Sequence, residues 1–203
     1  QEALNDNKLE PTPEMFDVMH TEARHLSRLI DDLKTLSLAE AGELPLNLQL
    51  ISPGELLRRI ARANTIQAES KHLDLQLRIE EDLPDIRVDM ERMTQVLGNL
   101  MDNALRYTPP GGMIHLSASS VDGEVQIRVA DSGVGIPPED LPFIFERSFR
   151  GDKARRQADG ETGLGLAIAK SLVEAQAGEI EVESEPDQGT AFTIRFPAGS
   201  ASS

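Results

Sequence analysis

NLMDNALRYTPPGG (residues 99–112) places two amides, a guanidinium and a phenol at helical spacing. Asn99, Asn103, Arg106 and Tyr107 stand at i, i+4, i+7 and i+8, which share one side of a helix. Amide oxygens are hard ligands suited to Mg²⁺, an ion that commonly arrives with nucleotide phosphates, and an arginine can hold a phosphate. The same pattern is also that of an ordinary solvated helix face. In DSGVGIPPED (131–140) a carboxylate closes a strand and Gly133 and Gly135 follow it. Glycines there let backbone approach a flat ligand, and Asp131 can accept a hydrogen bond from an exocyclic amine such as that of adenine. Taken alone, the stretch is equally a glycine-rich turn. In FIFERSFRGDKARR (143–156) the ten residues 147–156 set Arg147, Arg150, Lys153, Arg155 and Arg156 against Asp152, a local charge of +4 on a chain of −15. Such a patch focuses anions, although a charge run is usually a solvated surface. GETGLGLAIAK (160–170) opens an apolar helix with glycines, so the first N–H groups and the helix dipole face outward. That is a phosphate site in principle, but it is not the G-x-x-x-x-G-K-[ST] loop.

The elements needed to position these residues can be read from periodicity. Val96, Leu97, Leu100 and Ala104 give a helix over about 90–107 its apolar stripe, and Asp89 is its candidate N-cap. Strands are expected at 113–120 and 124–131 around Val121-Asp122-Gly123, at 179–184, and at 190–196, with a helix over about 163–177 between the two pairs. Upstream, Ser52-Pro53 starts a helix to about residue 70, Leu73, Leu75, Leu77 and Ile79 alternate as a half-buried strand, and a short strand lies near 86–88. Phe16, Met19, Ala23, Leu26, Ile30 and Leu33, widened by Leu29 and Leu36, form the seam of a bundle or coiled-coil helix over about 13–41, which Gly42 can stop. Mixed helices and hairpins predict an α+β fold, a mostly antiparallel sheet with helices on one face, preceded by that long helix. The expected organisation is 1–43 as a partial dimerisation segment, 44–50 as linker and edge strand, and 51–198 as the main domain.

Composition narrows the chemistry. With 203 residues, 39% hydrophobic content, no Trp and no Cys, the core is aliphatic, and disulfides and cysteine-based zinc sites are excluded. The net charge of −15 and the 3% aromatic content argue against nucleic acid and an anionic membrane as partners. No run reaches membrane-span length.

The order and spacing of the four motifs together resemble the catalytic, ATP-binding domain of sensor histidine kinases, over about residues 45–197. NLMDNALRYTPPGG is similar to that family's N box, DSGVGI to its first glycine box, FIFERSF to its F box, GETGLGLAI to its second glycine box, and GTAFTIRFP (189–197) to the closing strand. The resemblance implies the Bergerat α/β sandwich, with ATP and Mg²⁺ as cofactors. It implies that Asp131 meets the adenine amine, with Thr190 supporting through water, and that Asn103, with Asn99, holds Mg²⁺. Arg106 and Tyr107 stand where the family usually has Lys-Tyr. Asn99, Asn103 and Arg106 are then the catalytic set. Gly133 and Gly135 would form the near hinge of a mobile lid over about 137–162, with Ile136 beside them. Gly163 and Gly165 would form the far hinge and meet the phosphates, with Thr162, Leu164 and Leu166 at the same turn, Arg147 and Arg150 adding charge, and Phe145 and Phe149 anchoring the lid. Ser148 departs from the family's usual Phe-Tyr pair.

The same resemblance covers the long helix, similar to the second helix of the family's dimerisation and phosphotransfer hairpin. The phosphoacceptor histidine belongs on the first helix, followed by an acidic residue and a basic-Thr-Pro sequence, and none of His20, His25, His72 or His115 has that context. His20 and His25 are also about 140° apart round a helix, so they cannot share a metal. The chain, which starts at Gln1, is therefore expected to be part of a longer protein, with Gln1–Leu4 as the tail of the first helix. The expected partners are a response regulator and a second copy through the hairpin, and the expected location is the cytoplasmic portion of a membrane-bound sensor, membrane contact being made only by other parts. Three alternatives stay open: a gyrase-like ATPase clamp, a Ser/Thr kinase of the anti-sigma type, and a nucleotide-binding module without transfer activity. The clamp would need a Glu as base four residues before the magnesium Asn, where this chain has Asn99. The bundle helix speaks against the second.

Overall fold

A computed structural model describes residues 12–147, 149 and 163–199. Helix α1 (Pro13–Glu40) begins where the side chain of Thr12 accepts the Met15 N–H and proline occupies the first turn, and Gly42, at φ +69°, turns the chain away after it. Then come β1 (Gln49–Ile51), α2 (Pro53–Ser70), β2 (Asp74–Ile79), β3 (Ile86–Val88), α3 (Met90–Tyr107), β4 (Met113–Val121), β5 (Glu124–Asp131), a 3-10 turn (Leu141–Phe143), α4 (Gly165–Ala175), β6 (Glu179–Glu185) and β7 (Gly189–Pro197). The last helix is two residues shorter at each end than its apolar run suggests.

Five strands form one sheet in the order β2-β4-β5-β7-β6, and β1 pairs antiparallel with β3 beside it. Every pairing in the large sheet is antiparallel except β2 with β4, whose connection runs through β3 and α3, as a parallel neighbour requires a crossover. The β4–β5 hairpin turns on Asp122 (φ +53°) and Gly123 (φ +83°), the left-handed pair favoured in tight hairpins. Alternation decides the faces. Ile114 and Leu116, Val125, Ile127 and Val129, and Phe192, Ile194 and Phe196 are buried on one face, under α2, α3 and α4. The other face carries Ser117, Gln126, Arg128, Thr193 and Arg195. The result is a two-layer α/β sandwich. Leu77 of β2 is 38% exposed although its alternation predicts a half-buried position, because β2 is the edge strand of the sheet.

Asp89 anchors the start of α3. Its carboxylate accepts the N–H groups of Glu91 (2.9 Å) and Arg92 (3.1 Å) on one oxygen and of Asn47 (2.8 Å) on the other. Its own N–H donates to Gln176 Oε1 at 2.7 Å, tying α3 to the end of α4. In α1, Leu36 is buried and Leu29 packs against the core, where α1 lies on α4. The seam residues Phe16, Met19, Leu26, Ile30 and Leu33 are 51–66% exposed.

Candidate functional site

The site is built where the apolar face of the sheet ends. Reading across β6, β7 and β5, two successive rows are Ile180–Ile194–Ile127 and Val182–Phe192–Val129; the next is Ser184–Thr190–Asp131. Asp131 is held at this edge by the Gly133 N–H, which donates to its Oδ1 at 2.8 Å. Burial pushes its carboxyl above the ordinary value of 3.8, against the opposing pull of the backbone N–H groups of Gly133 and Thr190. A carboxylate that the fold destabilises in its charged form, at a strand end, is a functional-site signature.

The loop after Asp131 is pressed into place on both sides. A Cβ on Gly133 would lie 2.5 Å from the carbonyl oxygen of Tyr107, and the Val134 N–H donates to that oxygen at 3.2 Å. Gly135 has φ +66°, and a Cβ there would lie 2.0 Å from the Glu185 carbonyl oxygen. These two glycines are sterically obligatory. The Ile136 N–H donates to Ser184 Oγ at 2.8 Å.

Helix α3 forms the adjoining wall. Its end meets the loop through Tyr107, and eight residues earlier Asn99 Nδ2 donates to the carbonyl oxygen of Gly165 in α4 at 2.9 Å. Eight helical residues span about 12 Å, so α3 bridges the carboxylate end of the site to the start of α4. Half-buried Asn103 and Arg106 lie between these two fixed points, and the Arg106 guanidinium sits 5.7 Å from the Tyr107 ring centroid. The bond to Gly165 uses the Asn99 nitrogen, which leaves its amide oxygen as the atom able to meet a cation. At α4, Gly163 has φ +65°, Leu164 is buried, and among the described residues no side chain caps the helix start. Gly165 itself is not left-handed and a Cβ there would make ordinary contacts with Asn99, so of this pair only Gly163 is fixed as glycine by the backbone. Leu166 is half-buried in the first turn.

The remaining expected residues divide. Phe145 packs edge-on against Phe192 at 6.2 Å with Lys170 over its ring at 5.4 Å, and Phe149 stacks on Phe143 at 6.1 Å. Arg147 is directed to the end of α1: its Nε donates to Glu40 Oε1 at 2.9 Å and its Nη2 pairs with Glu40 Oε2. Arg150, Ser148, Thr162, most of the expected lid and Gln1–Leu4 lie outside the described residues. Sequence reasoning missed Ser184. The signal was present in EIEVESE, whose inward positions read Ile180, Val182, Ser184, so a hydroxyl takes an apolar register.

Residues 88–200 match the family described as histidine kinase-, DNA gyrase B- and HSP90-like ATPase. The chain belongs to this ATPase family. Within it, the chain is 37% identical over 191 residues to the sensor histidine kinase YkoH of Bacillus subtilis (strain 168), covering 93% of this chain and 40% of YkoH. Among solved structures, the Acinetobacter baumannii histidine kinase AdeS superposes with a TM-score of 0.79 at 27% identity, covering 98% of this chain and 91% of that one. Full-length ShkA in complex with AMPPNP gives 0.80 at 30% identity, covering 95% and 41%. The chain thus groups with sensor histidine kinases, and it spans less than half the length of the curated relatives it matches. No helix among the described residues is long and apolar enough to cross a membrane.

Proposed function

We propose that this chain is the Mg²⁺-ATP-binding catalytic core of a sensor histidine kinase. The γ-phosphoryl of ATP passes to a nitrogen of a histidine on a helix absent from this sequence, and from there to an aspartate of a response regulator. The observation that carries the reading is the wall formed by α3. It sets half-buried amides between Asp131, suited to an adenine amine, and the glycine-led start of α4, suited to phosphates. In this reading Asn103 and Asn99 hold Mg²⁺ through amide oxygens. Nucleotide phosphates and water would complete the shell of such an ion. When bound with ATP, Mg²⁺ neutralises charge on the transferring phosphoryl group. Arg106, Ile136 and the 163–166 turn position the nucleotide, with Arg150 and Thr162 of the proposed lid. Phosphoryl transfer through a loose transition state asks mainly for positioning and charge neutralisation.

The position that carries a base in water-activating relatives is Asn99, and its amide is bonded to Gly165. That supports transfer to histidine over a gyrase-like hydrolytic clamp. We read 51–198 as the nucleotide unit, 44–50 as its linker, and 1–43 as part of a dimerising phosphotransfer segment, supported by the exposed seam of α1. In the whole protein that segment pairs two copies on the cytoplasmic side of a membrane. Titration calorimetry with ATP tests the site. One ATP should bind per chain with affinity that falls sharply without Mg²⁺, and Asn103→Ala should remove the Mg²⁺ dependence. Binding that ignores both Mg²⁺ and Asn103 contradicts the assignment.

A further inference from the structure

Ser184 sits at the end of the polar row and its hydroxyl is in three hydrogen bonds. It accepts the Ile136 N–H at 2.8 Å, lies 2.8 Å from the carbonyl oxygen of Gly189, and lies 2.9 Å from Thr190 Oγ1. A hydroxyl has one proton and two acceptor lone pairs. The Ile136 N–H can only donate and the Gly189 carbonyl can only accept, so the single Ser184 proton goes to Gly189. Ser184 therefore meets Thr190 as an acceptor, and the Thr190 hydroxyl proton is spent on it. Thr190 is left with lone pairs alone for anything bound beside Asp131, its direct cross-strand partner on the same face. The Asp131 carboxylate, already receiving the Gly133 N–H, is likewise an acceptor.

We infer that Ser184 is a specificity-setting positioning residue: by taking the Thr190 proton it makes the base-binding row acceptor-only, so the site selects a nucleotide with an exocyclic amine over one with a carbonyl at the same position. This rests on the nucleotide reading above. Every group on the row that a base meets then matches a donor, and a 6-oxo base would put an acceptor against acceptors, a mismatch that binding sites discriminate against. Replacing Ser184 with alanine frees the Thr190 hydroxyl to turn its proton toward the ligand, where a 6-oxo group can use it.

The test compares ATP with inosine 5′-triphosphate, which carries a 6-oxo group in place of the amine and a proton on N1, by competition binding to the whole chain; the N1 proton is common to every comparison, so the change in the ratio reports the Thr190 proton. The unsubstituted protein should favour ATP. Ser184→Ala should narrow the ATP:ITP ratio by about threefold to tenfold, the worth of one hydrogen bond, and Ser184→Thr should restore it. In a Thr190→Val background, Ser184→Ala should leave the ratio unmoved, since the effect runs through the threonine proton. Loss of the Ile136 bond alone would weaken both nucleotides equally. If Ser184→Ala does not fold, Ser184→Cys, a weak donor and acceptor of similar size, should narrow the ratio in the same direction. An unchanged ratio in the single variants, or equal narrowing in the Thr190→Val background, overturns the role of Ser184. Absence of binding of either triphosphate to the unsubstituted chain overturns the nucleotide reading, and this inference with it.

Discussion

Asp131→Asn separates binding from folding. The carboxylate offers two oxygens: Oδ1 takes the Gly133 N–H at 2.8 Å, the Thr190 backbone N–H also acts on the group, and acceptor capacity is left for a ligand amine. Asparagine replaces one oxygen with an NH2 donor, so it keeps fewer acceptor positions for the loop and the nucleotide, and it forfeits a charge-assisted bond of about 1.5–3 kcal/mol. That is roughly a tenfold to hundredfold rise in Kd. Thermal shift reads it out. At ATP equal to 100 times the unsubstituted Kd, binding stabilises by about 2.7 kcal/mol, or roughly 5–11 °C for a chain of this size. A variant weakened a hundredfold gains only about 0.4 kcal/mol at the same ATP, a shift of about 1–2 °C. Without nucleotide its Tm should stay close to that of the unsubstituted chain, because relief from burying a charge offsets the lost acceptor. The pH dependence carries a sign. Burial raises the folded carboxyl above 3.8, so the native state binds protons more readily than the unfolded chain. The contribution of Asp131 to folding stability therefore declines as pH rises from 3.8 through the raised value. ATP affinity runs the opposite way, falling as pH drops through that value, and the asparagine variant should lack this acid limb. An unchanged ATP-induced shift in Asp131→Asn would remove the residue from the base site.

Gly135→Ala should lower stability by more than about 1 kcal/mol and weaken ATP binding, since its Cβ would strike the Glu185 carbonyl; a melting curve matching the unsubstituted chain refutes the packing argument. Gly98→Ala, inside α3 with nothing within 4 Å of the added Cβ, should instead stabilise by about 0.8–1 kcal/mol, visible as a rise in urea midpoint. Asp89→Ala should cost about 2 kcal/mol or more by stripping the cap of α3 and orphaning the Asn47 N–H. Burial raises the Asp89 carboxyl, but the N–H groups of Asn47, Arg92 and Glu91 and the charge of Arg92 outweigh it, so its folded value lies below 3.8. Its stabilising contribution is thus complete above pH 3.8 and lost as pH falls through the lower folded value, and acid-unfolding curves of the alanine variant should lack that component.

The parts of this molecule legible in its sequence are those with a local period or cap. The 90–107 helix, its Asp89 cap and the Asp122-Gly123 turn follow from neighbouring residues, and the structure places each where spacing expects it. Asp131 was legible because a strand ends there and glycines follow. What escaped depends on distant pairing. The Ser184 row exists because β7 lies between β5 and β6, an order no window of sequence contains. The Glu40–Arg147 pair joins residues 107 apart, and the Asp89–Gln176 bond residues 87 apart. Both arise from tertiary packing, the first of Arg147 on the end of α1 and the second of the end of α4 on the start of α3. Gly163 and Gly165 look equivalent in sequence, and only backbone geometry tells the left-handed residue from the helical one.

Incubation of the chain with γ-labelled Mg²⁺-ATP, alone and with a separately supplied polypeptide bearing the first hairpin helix and its histidine, tests phosphoryl transfer most directly. The chain alone should bind ATP yet carry no stable label, because no histidine in it stands in an acceptor context, and acid-labile phosphate should accumulate on the added helix. Acid-labile phosphate on the chain alone, or ATP binding with release of inorganic phosphate and no transfer to the helix, would contradict the histidine kinase reading.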